Sequence, residues 1–181
     1  MPTENALNEW LDLEAQIRQR LAAGRGPGVS SLSDIDGLNG LEMMQGVLDG
    51  RLPFAPISQT LDYLLVEVDS GRAVFQGTPS EAHLNPLGTI HGGWFATLLD
   101  SALGCAVHTR MPAGRAYTTA ELSVNLVKAL TPKVARVRAI GEVIHCGRQL
   151  ATAQARLVGP DGTLYAHATT TCLVFERPAA K

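Results

Sequence analysis

The chain has 181 residues, 45% of them apolar and 18% charged, and a formal net charge of -2. That length suits one domain with an appendage and a sizeable core. The near-neutral balance gives no electrostatic footprint for nucleic acid or an anionic membrane surface.

The opening "MPTENALNEW" carries acids early and no apolar core segment, so it does not read as a secretory signal. No uninterrupted apolar run approaches the ~18 residues of a membrane span, and a reduced, cytoplasmic protein is expected. Cys105, Cys146 and Cys172 are widely spaced within apolar runs, which reads as buried small hydrophobes rather than a metal site or disulfide framework. Thr3 is placed to cap a first helix whose Leu7, Trp10, Leu11, Ile17 and Leu21 recur at helical spacing before Gly24. "GRGPGVSS" is a linker. A second helix, Leu38 to Leu48, puts Leu38, Leu41, Met44, Val47 and Leu48 on one stripe and stops at Gly50. Residues 1–56 therefore read as a helical extension and linker packed over a main domain, residues 57–181.

From residue 57 the pattern is that of strands, interrupted by one long helix. "TLDYLLVEVDSGRAVFQGTP" reads as strand, Gly71 turn, strand. After the helix, "YTTAELSVNLVKA" alternates, with Ala120, Leu122, Val124 and Leu126 on one face and Thr119, Glu121, Ser123 and Asn125 on the other. "VARVRAIGEVIH" and "QLATAQARLVG" follow, joined at Cys146-Gly147-Arg148. Asp161-Gly162 then supplies a hairpin turn before a last strand ending near Phe175. Two strands, a helix and four more strands make an α+β domain, a mostly antiparallel sheet packed on one long helix.

The segment "NPLGTIHGGWFATLLDSALG", Asn85 to Gly104, places a carboxylate inside an apolar helix. At 100° per residue, Phe95, Leu98, Leu99, Ala102 and Ala106 gather on a face directed into the sheet. Thr97, Asp100 and Gly104 lie on the opposite side, a small polar seam where another backbone or a ligand can come close. Gly92 and Gly93 leave the N–H groups of the helix start unobstructed, and the helix dipole adds partial positive charge there. Such an end can hold an anion or a polarised carbonyl oxygen. Asp100 is roughly 12 Å along the same helix, too far to act on the same atom from one chain.

The chain from about Gln59 to Phe175 resembles the hotdog-fold thioesterases of the PaaI-like (phenylacetic acid degradation) family. The residues that carry the resemblance are Asn85, then His91-Gly92-Gly93 six residues on, then Asp100 nine residues after the histidine, together with the strands "TTAELSVN" and "AHATTTCLVF". The resemblance implies a sheet wrapped around the long helix, dimers with a continuous sheet, and active sites between subunits. Tetramers formed from two such dimers, through sheet faces or helices, are also implied. It further implies hydrolysis of an acyl-CoA or aryl-CoA thioester, with coenzyme A as part of the substrate and no other cofactor.

Carried over residue by residue, Gly92, with Gly93 adjacent, polarises the carbonyl. Asp100 is the general base for water or, in a variant of the chemistry, the nucleophile. Asn85 and His91 hold the water or thioester and organise the loop. Thr119 positions the water, with Thr118 its one-residue rival because neighbours point to opposite faces. Lys128 and Arg148 are the candidates for the coenzyme A phosphates, although "NLVKALTP" has Lys128-Ala129 where the family often has Arg-Pro. Glu121 reads as an exposed strand residue, and Trp94 and Phe95 as core. His83, His108, His145 and His167 have no metal-ligand spacing. A hotdog hydratase or dehydratase, and a non-catalytic acyl-CoA-binding regulator, are the alternatives from other classes. The first needs a differently spaced histidine motif and the second a basic appendage, and the N-terminal region is acidic.

Overall fold

A computed structural model describes residues 2–177 of the chain. In chain order the elements are α1 (Pro2–Ala23), α2 (Gly40–Leu48), α3 (Pro56–Thr60), β1 (Tyr63–Asp69), β2 (Arg72–Gly77), α4 (Gly92–His108), β3 (Arg115–Leu126), β4 (Val137–Cys146), β5 (Leu150–Val158) and β6 (Leu164–Glu176). The six strands form one sheet in the order β1-β2-β4-β5-β6-β3, every neighbouring pair antiparallel. Among the described residues, no helix is long and apolar enough to cross a membrane.

The sheet curls around α4 because its inner face is built from small residues. Ala139, Ala151, Ala153, Ala155, Ala166 and Ala168 are all buried there, and the helix answers with Trp94, Phe95, Leu98, Leu99, Ala102, Leu103, Ala106 and Val107. The closest approach is at Gly141 in β4, where a Cβ atom would stand 2.3 Å from the carbonyl oxygen of Ala102. The long apolar side chains of the helix thus fill space that the strands leave open, as close packing requires. Cys172 is buried, whereas Cys105 and Cys146, expected to be buried too, are only partly so.

Two local features depart from the sequence pattern. Pro56 starts the short helix α3, and Asp62 turns the chain with φ 47°, so the first strand begins at Tyr63 rather than near Thr60. In β3 the register against β6 slips between Thr119, opposite Cys172, and Glu121, opposite Thr171. That bulge leaves Ala120 as an extra residue and reverses the alternation on one side of it. Tyr117, Thr119, Leu122 and Val124 consequently all face the helix; the uninterrupted alternation had put Thr119 and Leu122 on opposite faces.

The extension grips the sheet on two sides. α1 lies on the outer face, where Ile17 packs with Leu64, Val66 and Val74. Thr3, expected as the cap of this helix, falls within its first turn, and its side chain lies outside the described residues. Glu14, only 4% exposed, accepts hydrogen bonds from Gln76 Nε2 at 2.7 Å, Arg18 Nε at 2.7 Å and Arg136 Nε at 2.5 Å. Gln76 in turn accepts from Arg138 Nε at 2.9 Å, and the Arg138 guanidinium sits 4.3 Å from the centre of the Trp10 ring. Burial pushes the Glu14 carboxyl up, but the bonds from Arg136, Arg18 and Gln76 outweigh it and hold the group below its ordinary value. α2, capped by a reciprocal Asn39–Glu42 box, sends Met44 into the inner core. Its first residue, Gly40, presses on α4 so closely that a Cβ there would overlap the His108 carbonyl oxygen.

Candidate active site

The loop before α4 is built by its own polar groups. Asn85 Oδ1 accepts from the N–H groups of Leu87 at 2.8 Å and Thr89 at 3.3 Å, and Asn85 Nδ2 donates to Thr89 Oγ1 at 2.8 Å. Gly88 completes the turn at φ 81°. Asn85 is therefore an architectural residue of this loop, its side chain turned onto residues 87 to 89. The loop is pinned to the body by Ile90 N–H on Leu130 C=O and His91 N–H on His83 C=O, and His83 stacks on Trp94.

His91 is the N-cap of α4: its Nδ1 accepts the Gly93 N–H at 2.9 Å. The ring proton is thereby placed on Nε2, and the residue is exposed. Of the two glycines, Gly93 has its N–H satisfied by this cap. Gly92, at the first helical position, has no intrahelical acceptor for its N–H. A Cβ on Gly92 would lie 3.0 Å from Leu126 Cδ1, so glycine lets β3 pass close to the helix start. A depression of about 440 Å³ opens at this end, lined by His91, Gly93, Trp94 and Thr97 among others.

Asp100 is half-buried on the helix face opposite the sheet centre, and Thr119 Oγ1 donates to its Oδ1 at 3.1 Å. Thr118 is exposed and turned away. The seam expected along Thr97, Asp100 and Gly104 is closed at its far end, because the Tyr117 ring fills the space over Gly104. Two neighbours of Asp100 carry no site signal in the sequence: Ser101, whose Oγ lies 3.1 Å from Tyr63 Oη, and Cys105 one turn further on, which reads there only as a small hydrophobe. Burial, and behind it the charge of Asp100, pushes the Cys105 thiol up to about 12, so it remains a protonated, non-nucleophilic thiol at neutral pH. Burial likewise raises Tyr63 and Tyr117, both of which also feel the Asp100 charge. Nothing in residue spacing ties Tyr63 to Ser101, 38 positions away.

Lys128 and Arg148 stand at opposite ends of β3. Lys128 follows the strand's last residues near Gly92, its Nζ 5.8 Å from the centre of the Tyr165 ring. Arg148 accepts a hydrogen bond from Arg115 at the strand's start, and with Arg110 and Arg115 it lines a separate depression of about 490 Å³. Glu121 is exposed at the bulge, and its carbonyl accepts from Thr170 Oγ1.

The thioesterase superfamily model matches residues 87–166, the stretch from the glycine loop to the last strand. A thioesterase family protein from Silicibacter pomeroyi is similar in structure, with a TM-score of 0.62 and 28% identity over 67% of this chain and 90% of its own. The TT0310 protein of Thermus thermophilus is 30% identical over 66% of this chain and 97% of its own, with a TM-score of 0.60. A variant of the phenylacetic acid degradation protein PaaI, also from Thermus thermophilus, is 29% identical over 65% of this chain and 97% of its own, with a TM-score of 0.59. No curated protein matches the chain. An antiparallel sheet wrapped on one helix, with this match, defines a hotdog thioesterase. The chain belongs to the PaaI-like family of the thioesterase superfamily and is a thioester hydrolase.

Proposed function

We propose that the chain hydrolyses coenzyme A thioesters of an apolar acyl or aryl acid, in sites shared between two copies. The observation that carries the reading is the pairing on one helix of an N–H without an intrahelical acceptor, at Gly92, and a carboxylate steadied by a hydroxyl, Asp100 with Thr119. Eight residues of helix separate them by about 12 Å, so within one chain they cannot meet at one carbonyl carbon. A two-fold partner resolves this: with β3, the sheet's exposed edge, paired antiparallel to its copy, each Gly92 faces the other chain's Asp100.

In that site the Gly92 N–H stabilises the oxyanion that forms on the thioester carbonyl. Asp100 of the partner subunit takes a proton from water as the oxygen attacks the carbonyl carbon. The tetrahedral intermediate collapses with cleavage of the C–S bond, and the proton held by the carboxyl returns to the thiolate. The products are free acid and coenzyme A. Thr119 holds the carboxylate in place, and His91 fixes the helix start while directing Nε2–H outward. The same antiparallel pairing brings the β3 start of one chain to the β3 end of the other. Arg148 of one subunit and the partner's Lys128 would then flank one site, on either side of the coenzyme A phosphates.

Thiol release from a panel of acyl- and aryl-CoA esters tests the reading. Asp100→Asn is expected to lower kcat on the best substrate on the order of 10³-fold. Near-normal turnover in that variant would put the base elsewhere.

A further inference from the structure

We infer that the N-terminal extension forms the outer wall of the acyl pocket and so sets which acyl groups the enzyme accepts; this rests on the thioester-hydrolase reading of the Asp100 site. Between the extension and the domain lies a cavity of about 390 Å³. Its inner wall is Tyr63, Leu65 and Phe75 from β1 and β2, with Ser101 and Cys105 from α4. Ser101 directly follows Asp100 on α4, so the cavity reaches the helix position next to the carboxylate.

Its outer wall belongs to residues before the main domain, including Val29, Met44, Val47, Phe54 and Ala55. All of these precede residue 87, where the family match begins. The two hydroxyls at the inner end, Tyr63 and Ser101, bond to one another at 3.1 Å, and Cys105 beside them keeps its proton. Among the described residues no charged side chain lines the cavity, so an ionised acyl group would be desolvated there without a partner. At about 30 Å³ for each carbon-sized group, the space takes roughly a dozen of them. The occupant that fits is an unbranched or aryl apolar acyl group of up to about ten carbons.

Ala55 is exposed on one side and lines the cavity on the other, so a larger side chain there can narrow the space without disturbing the core. In Ala55→Trp the ratio of kcat/KM for decanoyl-CoA to that for acetyl-CoA is expected to fall at least tenfold. In Phe54→Ala the preference is expected to move toward longer or bulkier groups. Calorimetric titration with decan-1-ol, an uncharged probe, gives a readout independent of catalysis: the wild type binds it, and Ala55→Trp binds it at least tenfold more weakly. Circular dichroism establishes that both variants are folded. If the chain-length ratio and decan-1-ol binding are unchanged in the two folded variants, the extension does not wall the acyl site and the inference falls. If the wild type hydrolyses no coenzyme A ester but decan-1-ol binding still responds to Ala55→Trp, the assigned reaction falls and the pocket stands.

Discussion

Thr119 reaches Asp100 across 3.1 Å only because β3 carries an extra residue immediately after it. Without the bulge at Ala120, either Thr119 or the pair Leu122 and Val124 would have to turn away from α4. A strand can therefore serve both the apolar core and the carboxylate, at the cost of one unpaired position in the ladder.

That hydrogen bond is made to a charged acceptor, a class worth about 1.5–3 kcal/mol. Thr119→Val, which keeps the shape and removes the donor, is expected to lower kcat by roughly 10- to 100-fold, with a smaller change in KM. Thr118→Val, one residue away on the exposed side, is the comparison, and steady-state kinetics on the same thioester should show the larger loss at Thr119. Equal losses in the two variants would mean that the contact does not position the base.

Gly92 offers a substitution that removes its N–H, with the new Cβ meeting only the end of the Leu126 side chain at 3.0 Å. Proline is favoured at the first position of a helix, where its missing N–H breaks no intrahelical bond, and His91 before it already has φ -62° and ψ 137°, a conformation proline tolerates in its predecessor. Gly92→Pro is expected to fold and to lose about 10²–10³-fold in kcat, the typical cost of one oxyanion donor. Mixing it with Asp100→Asn under subunit exchange supplies the decisive measurement. Half of the exchanged dimers are hybrids, and one of their two sites has neither defect, so about a quarter of wild-type activity should return. Failure of two folded, exchanging variants to complement would place the whole site within one chain.

Two glycines test how tightly the helix is held. Alanine is the better helix former by about 1 kcal/mol, yet in Gly104→Ala the new methyl would stand 2.6 Å from the Tyr117 hydroxyl. Overpacking of this kind costs about 1–3 kcal/mol, so the clash outweighs the propensity and the variant should be less stable. Gly141→Ala meets backbone, the Ala102 carbonyl at 2.3 Å, which cannot swing aside as a ring can. Chemical denaturation is expected to rank the wild type above Gly104→Ala and Gly104→Ala above Gly141→Ala.

Acid should loosen α1 before it unfolds the domain. The Glu14 carboxyl is held below its ordinary value of 4.5 in the folded chain. A lowered carboxyl contributes stability that is fully present above the unfolded value and is lost as pH falls through the folded one. Docking of α1 is therefore expected to weaken below about pH 4.5. Trp10, stacked on Arg138, reports it by fluorescence, with Trp10→Phe as the control for Trp94. Glu14→Gln takes the carboxylate from the Arg136 guanidinium, while Arg18 keeps Asp62 at 2.7 Å, and should destabilise by about 1–3 kcal/mol. It should also abolish that acid transition.

Periodicity made much of this molecule legible. The apolar face of α4, the glycine stop of α2, the succession of strands along the chain and the polar side of α4 at Asp100 all follow from residue spacing, because regular elements repeat their environment every turn or every second residue. The bulge did not, since one inserted residue leaves the composition of β3 unchanged and is defined only against β6. Nor did the role of His91, whose ring caps its own helix, a contact that the tripeptide His-Gly-Gly does not specify. The cavity between the extension and β1 was beyond sequence for a different reason. Its walls come from segments up to 84 positions apart, Leu21 to Cys105, and each of those segments reads alone as ordinary core or linker.

The extension also governs the ends of the sheet. β1 and β3 are the two edge strands, and an open edge is a template for another strand. β1 is flanked by α1 on one side and by α2 and α3 on the other, whereas β3 has neither. These helices crowd an incoming strand at β1, and β3 is the less encumbered edge. In the two-fold pairing proposed above, both β3 edges are consumed in one contact, so a sheet of twelve strands would end at the crowded β1 edges instead of running on as a fibre.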